Sequence, residues 1–247
     1  MTATLVVPIL NELAGLQAVM PKLPALDQIL VVDGGSTDGS AEWCIHQGYD
    51  VIFQRRLGLR AGLIEAWPKV RGEVMVTFSP DGNSDPARVA PLLDQMETYP
   101  ELDMCIVSRY LGWAKSQDDT PLTWAANRVF TGLINRLFGG RDTDALVMFR
   151  AYRTDLPKRL GVLGRRAPAW ERRVGRHISW EPMLSIRAAR AGCWVGEIPG
   201  HEPARIGHGK VGRFLPESRI SHFASGLAFL WLILEERIGR REEALGR

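Results

Sequence analysis

The residues best placed to do chemistry together stand in FSPDGNSDP, where Asp81, Asn83 and Asp85 put an oxygen-bearing side chain at every second position of one short turn. With Gly82 between two of them, such a turn can converge on one hard cation, Mg²⁺ or Mn²⁺, because these ions take carboxylate and carbonyl oxygens. The run before it is apolar and β-branched (Val74, Val76 and Phe78, with Met75 and Thr77), which predicts a strand ending at the turn. Open α/β sheets bind ligands beyond the carboxyl ends of their strands. The same residues also read as local structure, since Asp85-Pro86 has the form of a helix start with Asp as N-cap and Pro in the first turn.

Two earlier turns have similar chemistry. VVPILNE places Pro8, Asn11 and Glu12 after a first strand, and VVDGGSTDGS places Asp33 after a second, beside Gly34 and Gly35. Glycines there let a ligand approach the backbone closely, and the Asp can hydrogen-bond a base or ribose. No GxGxxG follows the first strand, which disfavours a dinucleotide fold. Three polar turns on one edge of one sheet would hold a base, a ribose and a metal-bridged diphosphate in order.

The elements that must position these turns alternate. Strands are expected at Thr4 to Pro8, Ile29 to Val32, Tyr49 to Phe53, the run ending at Phe78, and Asp103 to Ser108. Helices are expected between them, starting at Asn11-Glu12, after Gly39, after the run Arg55 to Gly62 (ended by Pro68 or Gly72) and at Asp85. That alternation predicts βαβ units and a mostly parallel sheet, an α/β fold. In the second half, Thr120-Pro121 caps a helix to about Phe138, Ala145 to Phe149 reads as a strand, Ser179 to Ala191 as a helix and Cys193 to Ile198 as a short strand. A final helix begins near Ser221.

The 247 residues are 45% hydrophobic and 24% charged, ordinary for a globular chain large enough to bury a substantial core. A formal charge of +3 is too small to indicate nucleic acid. From Arg150 to Arg176, however, nine basic residues face only Asp155 and Glu171. The segment suits an anionic partner such as phosphate, pyrophosphate or a lipid headgroup surface, or else forms a solvated loop. Cys44, Cys105 and Cys193 have no pairing pattern, consistent with a reducing compartment and a cytoplasmic setting. No apolar run reaches the ~18 residues of a spanning helix. Phe223 to Leu234 is the nearest; it reads as a buried helix, or one lying in a membrane interface with Arg237, Arg240 and Arg241 near headgroups.

The order VVPILNE, VVDGGSTDGS, LGLRAG, FSPDGNSDP and VSRY resembles the inverting family-two glycosyltransferases of GT-A fold, and within them the dolichyl-phosphate mannose synthase branch of polyprenyl-phosphate glycosyltransferases. The likeness continues through TWAANR, DALVMFR, SWEPMLSIRAARAG and EIPGHEPARIGHGK, covering about residues 4 to 211. It implies one GT-A domain over residues 1–220, with a nucleotide-sugar-binding half (1–110) and an acceptor half (111–220), followed by a C-terminal amphipathic helix (221–247). By resemblance, Pro8, Asn11, Glu12, Asp33, Gly35 and Arg60 bind the nucleotide, and Asp81, Asn83 and Asp85 fall on the metal-ligand positions. Arg205 and Lys210 fall on the donor diphosphate, and Arg109, Asp144 and Arg150 beside the acceptor. The chain departs from the family pattern at Gly34 and Asn83, where aspartates are usual, at Met148 (Gly) and at Gly209 (Ser). Pro121 and Leu122 stand where the lipid-phosphate enzymes carry an Arg ahead of TWAAN.

The implied reaction moves a hexose from a UDP- or GDP-sugar to a polyprenyl phosphate at the cytoplasmic face of the membrane. Asp81, Arg205 and Lys210 would serve the departing diphosphate. A phosphate acceptor is already ionised, whereas a glycan or small-molecule hydroxyl needs a carboxylate base. Glu181 in SWEPM is the candidate for that role, or else it favours a helix N-terminus electrostatically. A nucleotide-sugar-binding protein without catalysis is the alternative of a different class.

Overall fold

The computed structural model describes residues 1–56, 58–164, 180–206 and 226–238. Lys210, Ser179, the basic positions from Arg165 to Arg176 and the start of the last helix near Ser221 lie outside the described residues.

Seven strands form one sheet: β1 (Ala3–Ile9), β2 (Gln28–Asp33), β3 (Asp50–Phe53), β4 (Val74–Thr77), β5 (Met104–Ser108), β6 (Arg150–Arg153) and β7 (Val195–Pro199). Their spatial order is β3-β2-β1-β4-β6-β5-β7. All pairings are parallel except those of β6, which runs antiparallel to both β4 and β5. The apolar strands β1, β2 and β4 are buried on both faces, as continuous apolar runs in parallel strands require, whereas β3 lies at the sheet edge.

Successive residues of each strand serve opposite faces, so the sheet has two cores. Val6, Leu30, Val32, Met75, Met104 and Ile106 belong to one. Leu5, Val7, Val31, Val74, Val76, Cys105 and Val107 belong to the other. Helices α1 (Leu13–Val19), α2 (Ser40–His46) and α4 (Val89–Thr98) supply the second core through Leu16, Cys44 and Leu92. Helices α3 (Leu59–Ala66), α5 (Pro121–Phe138), α6 (Leu156–Arg159) and α7 (Trp180–Ala191) supply the first, through Leu63, Ile134, Leu156 and Leu184.

The last described helix, α8 (226–238), adds Ala228, Leu232 and Ile233 to the first core. Glu236 ties it to α7, accepting from Arg187 at 2.6 Å and Arg190 at 3.0 Å. Its opposite face leaves Leu227, Leu230, Trp231, Leu234 and Ile238 exposed. Among the described residues, no helix is long and apolar enough to cross a membrane.

Local signals account for the helix ends. Thr120 closes a reciprocal capping box with Thr123 at the start of α5, and Gly139 ends that helix at φ 83°. Pro68 falls in the 3-10 turn Trp67–Lys69 that follows α3. Asp85 caps a 3-10 turn, Pro86–Arg88, from which α4 continues. One expectation shifts: residues 145–149 form a loop, and the strand is β6, immediately after it. β6 fills the gap between β4 and β5, with Arg150 opposite both Thr77 and Ile106, and the ladder starts only there.

Candidate active site

The parallel register sets Ile9 beside Asp33 and Val6 beside Thr77, so the turns after β1, β2 and β4 emerge on one edge of the sheet. The first two are stitched together. Asn11 adopts φ 58°, a left-handed conformation that Asn tolerates, and its Oδ1 accepts from Thr37 N at 2.8 Å. Glu12 N donates to Ser40 Oγ at 2.9 Å and Leu13 N to Asp38 Oδ2 at 3.1 Å. Asp33, almost fully buried, accepts from Gly35 N at 3.0 Å and Ser36 N at 3.1 Å, which fixes its carboxylate at the strand end. Pro8 lies within β1 one residue before Ile9, so Pro8, Asn11, Glu12, Asp33 and Gly35 all gather at this edge.

The third turn carries Asp81 and Asn83, both buried. Two close approaches hold it. A side chain on Gly15 of α1 would meet Pro80 O at 2.3 Å, so a glycine is required where α1 passes under the turn. Gly82, at φ 91°, leaves room for Ile206, whose N donates to Asp81 O at 2.7 Å. That contact brings Arg205 over the turn. Its Nη1 meets Asp81 Oδ2 at 2.6 Å and its Nε meets Asp118 Oδ2 at 3.1 Å. Burial, followed by the charge of Asp81, pushes the Glu12 carboxyl up to about 7, against the opposing effect of Arg205.

The metal-ligand positions divide. Asn83 Oδ1 is buried and meets no hydrogen-bond donor among the described residues, while its Nδ2 donates to Asp118 Oδ2 at 3.2 Å. A buried acceptor without a donor is costly, and a cation would satisfy it; Asp81, beside it, supplies a carboxylate. These two fit a hard divalent ion. Asp85 is engaged elsewhere, its Oδ1 accepting from Ala87 N at 3.0 Å as the cap and its Oδ2 lying 3.7 Å from Arg88 Nε. Among the described residues, no group of three His, Cys, Asp or Glu side chains is arranged as a metal site.

A cavity of about 330 Å³ opens beside this turn, with Asp81, Asn83 and Arg205 on one part of its wall and Arg109, Met148 and Glu202 on another. Arg109, just past β5, forks onto Asp144 with Nε–Oδ2 at 2.7 Å and Nη2–Oδ1 at 2.9 Å. Its Nη1 faces Glu202 at 3.3 Å. Asp144 is fully buried. Burial raises the Glu202 carboxyl above its usual range, and Arg109 and Ser116 pull it down.

Of the described site residues expected from the sequence, only Asp81, Asn83, Arg109 and Arg205 line the cavity, and Arg150, Glu181 and Arg60 are buried away from it. Arg150 is completely buried; its Nε donates to Val147 O at 2.9 Å and its Nη1 to Ser185 Oγ at 3.0 Å, so it shapes the 145–149 loop that lines the cavity. Glu181, in the first turn of α7, is buried, and its carbonyl accepts from Arg150 Nη1 at 3.4 Å. Arg60 is buried at the start of α3 and donates to Val162 O at 2.9 Å and Gly164 O at 2.7 Å. Asp118, Glu202 and Ser116 are the groups that the sequence reading did not single out. The acidic pair in QDDT, just before the Thr120 cap, was the available signal for the first.

Three polar turns share one edge of the sheet, and the third of them opens onto the cavity. The glycosyl transferase family 2 profile matches residues 4–161, more than half of the chain. The chain therefore belongs to glycosyl transferase family 2 and is a glycosyltransferase. It is 26% identical to undecaprenyl-phosphate mannosyltransferase of Micrococcus luteus over 95% of this chain and 98% of that protein. It is 24% identical to undecaprenyl-phosphate 4-deoxy-4-formamido-L-arabinose transferase of Edwardsiella ictaluri over 63% of this chain and half of that protein's length. Among solved structures it resembles glucosyl-3-phosphoglycerate synthase from Mycobacterium tuberculosis in complex with Mn²⁺, uridine diphosphate and phosphoglyceric acid. The TM-score is 0.69 at 18% identity, over 94% of this chain and 78% of that one. The fold is GT-A.

Proposed function

We propose that this glycosyltransferase moves a hexose from a UDP- or GDP-sugar, with inversion, to the phosphate of a polyprenyl carrier. The observation that carries the reading is the Asp81 turn, where a buried carboxylate, an Asn83 Oδ1 that meets no donor among the described residues and the Arg205 guanidinium meet beside a cavity that also reaches Arg109. Asp81 and Asn83 would hold Mg²⁺ or Mn²⁺, with Asp85 left as the helix cap. When bound, the cation supplies charge neutralisation to the diphosphate. Asp33, Asn11, Glu12, Pro8 and Gly35 would bind the base and ribose. Arg205, joined by Lys210, would stabilise the leaving diphosphate as its charge grows.

Arg109 would orient the acceptor phosphate. An oxygen of that phosphate forms a bond to the anomeric carbon from the face opposite the diphosphate, and the bond to the diphosphate breaks. The acceptor is already ionised, so no base is consumed. Transfer to a hydroxyl with Glu181 as base has less support, because Glu181 is buried and does not line the cavity. We place the nucleotide-sugar half in residues 1–110 and the acceptor half in 111–220. We also place the chain peripherally on the membrane's cytoplasmic face, where the exposed apolar side of α8 would lie in the interface.

A thermal-shift screen of UDP- and GDP-sugars with Mg²⁺ or Mn²⁺ tests the donor side, since ligands raise apparent stability. A shift that needs both nucleotide sugar and cation is expected. Equal melting temperatures across the screen would overturn the reading.

A further inference from the structure

Arg109 has two carboxylate partners of unequal strength. Asp144 takes the Nε and Nη2 fork at 2.7 and 2.9 Å, the bidentate geometry of a strong pair. It is fully buried and is not among the residues lining the cavity. Glu202 reaches only Nη1, with both oxygens at 3.3 Å, and it does line the cavity.

Glu202 also has a second partner, because Ser116 Oγ donates a short hydrogen bond to its Oε2. Its backbone is fixed independently of the side chain: Glu202 N donates to Lys115 O at 3.0 Å and Gln117 N to Glu202 O at 2.8 Å. The side chain can therefore leave Arg109 while the main chain stays in place and Ser116 still satisfies one oxygen.

We propose that Glu202 is a displaceable guard of the acceptor subsite, occupying the cavity side of Arg109 until an acceptor phosphate displaces it and so weakening the binding of anionic acceptors. The proposal rests on the reading of Arg109 as the acceptor-phosphate partner. A guanidinium already gripped by Asp144 offers one further edge, and Glu202 holds it. A phosphate entering beside both carboxylates would bring a third anion to one cation, so Glu202 must turn away as the phosphate arrives. A neutral acceptor faces no such exchange. Glu202 is thus a positioning residue acting through Arg109; it sets how strongly an anionic acceptor binds and leaves the transfer step itself to other groups.

Calorimetry of the full chain with farnesyl phosphate, and with farnesol as a neutral comparator of the same hydrocarbon, tests this in wild type, Glu202→Gln and Glu202→Ala. Relief of like-charge repulsion should tighten farnesyl phosphate by about 10-fold in both variants and leave farnesol unchanged. A loss of packing would move both ligands alike. Unchanged or weaker farnesyl phosphate binding, or an equal gain for farnesol, would overturn the proposal. Transfer by the wild type onto undecaprenyl phosphate is scored separately: its absence counts against the acceptor reading alone, and the binding difference still decides the role of Glu202.

Discussion

The proposed donor edge and the proposed acceptor pocket hold their polar groups in place by opposite means. At the donor edge, side chains are fastened to backbone N–H groups of the neighbouring turn, as in Asn11 with Thr37 and Asp33 with Gly35 and Ser36. In the acceptor pocket, charges are fastened to charges, as in Arg109 between Asp144 and Glu202, and the pairs are largely buried. A hydrogen bond at an exposed turn, such as that of Asn11 with Thr37, costs little to break, whereas Asp33 is buried. A buried ion pair is costly to break on one side, because the partner is left charged and dry. Exposed positions of the donor edge such as Asn11 should therefore tolerate substitution, while the buried Arg109–Asp144 pair should not.

The largest effect is expected between the two regions, at Asp81. Asp81→Ala should lower turnover by about 10²- to 10³-fold, the range for removing a transition-state electrostatic partner, and abolish cation-dependent stabilisation by nucleotide sugar. Retained activity would remove Asp81 from the mechanism. Asp144→Ala follows, with a loss of about 3–5 kcal/mol in urea unfolding because Arg109 loses its buried partner. A loss below 1 kcal/mol would erase the contrast between the regions.

Asn11→Ala sharpens the contrast from the donor side. It forces an alanine into a left-handed conformation, at about 1–2 kcal/mol, whereas Asn11→Gly should lose less because glycine accepts that conformation freely. Equal losses would mean that the Thr37 hydrogen bond, and not the backbone, dominates there.

A separate effect at the donor edge concerns pH. The folded-state pKa of Glu12 lies above its unfolded value of 4.5, at about 7. The contribution linked to its proton is complete below pH 4.5 and is lost as pH rises to about 7. Glu12→Gln should therefore gain stability relative to wild type across that window in chelator-treated protein, with a constant difference above it. A difference that does not change with pH would place Glu12 in a more solvated setting.

Much of this architecture is legible in the sequence because it is encoded locally. Apolar β-branched runs, Gly and Pro punctuation and the Thr120 cap mark strands and helices within a few residues, and the three polar turns fall at strand ends. The resemblance to GT-A glycosyltransferases rests on the order of those turns together with LGLRAG, VSRY and the motifs of the second half. The double role of Asp85 was also visible as a competition between cap and ligand, and the carboxylate is engaged as the cap. What was not legible is which charges meet. Arg109 and Glu202 are 93 residues apart, and Arg205 and Asp118 are 87 apart. Nothing in local spacing reports that these loops converge. Arg150 shows the same limit from the other direction: a basic residue at the head of a basic segment reads as a ligand-facing charge, yet pairing of β6 between β4 and β5 turns it into the core.

The most direct measurement is transfer itself. The full chain would be incubated with UDP- and GDP-hexoses, Mn²⁺ or Mg²⁺, and undecaprenyl phosphate in anionic vesicles, and the lipid product analysed for its anomeric configuration. The account predicts a hexosyl lipid phosphate of inverted configuration whose formation stops when the cation is chelated. A product of retained configuration, or undiminished transfer in excess chelator, would contradict it.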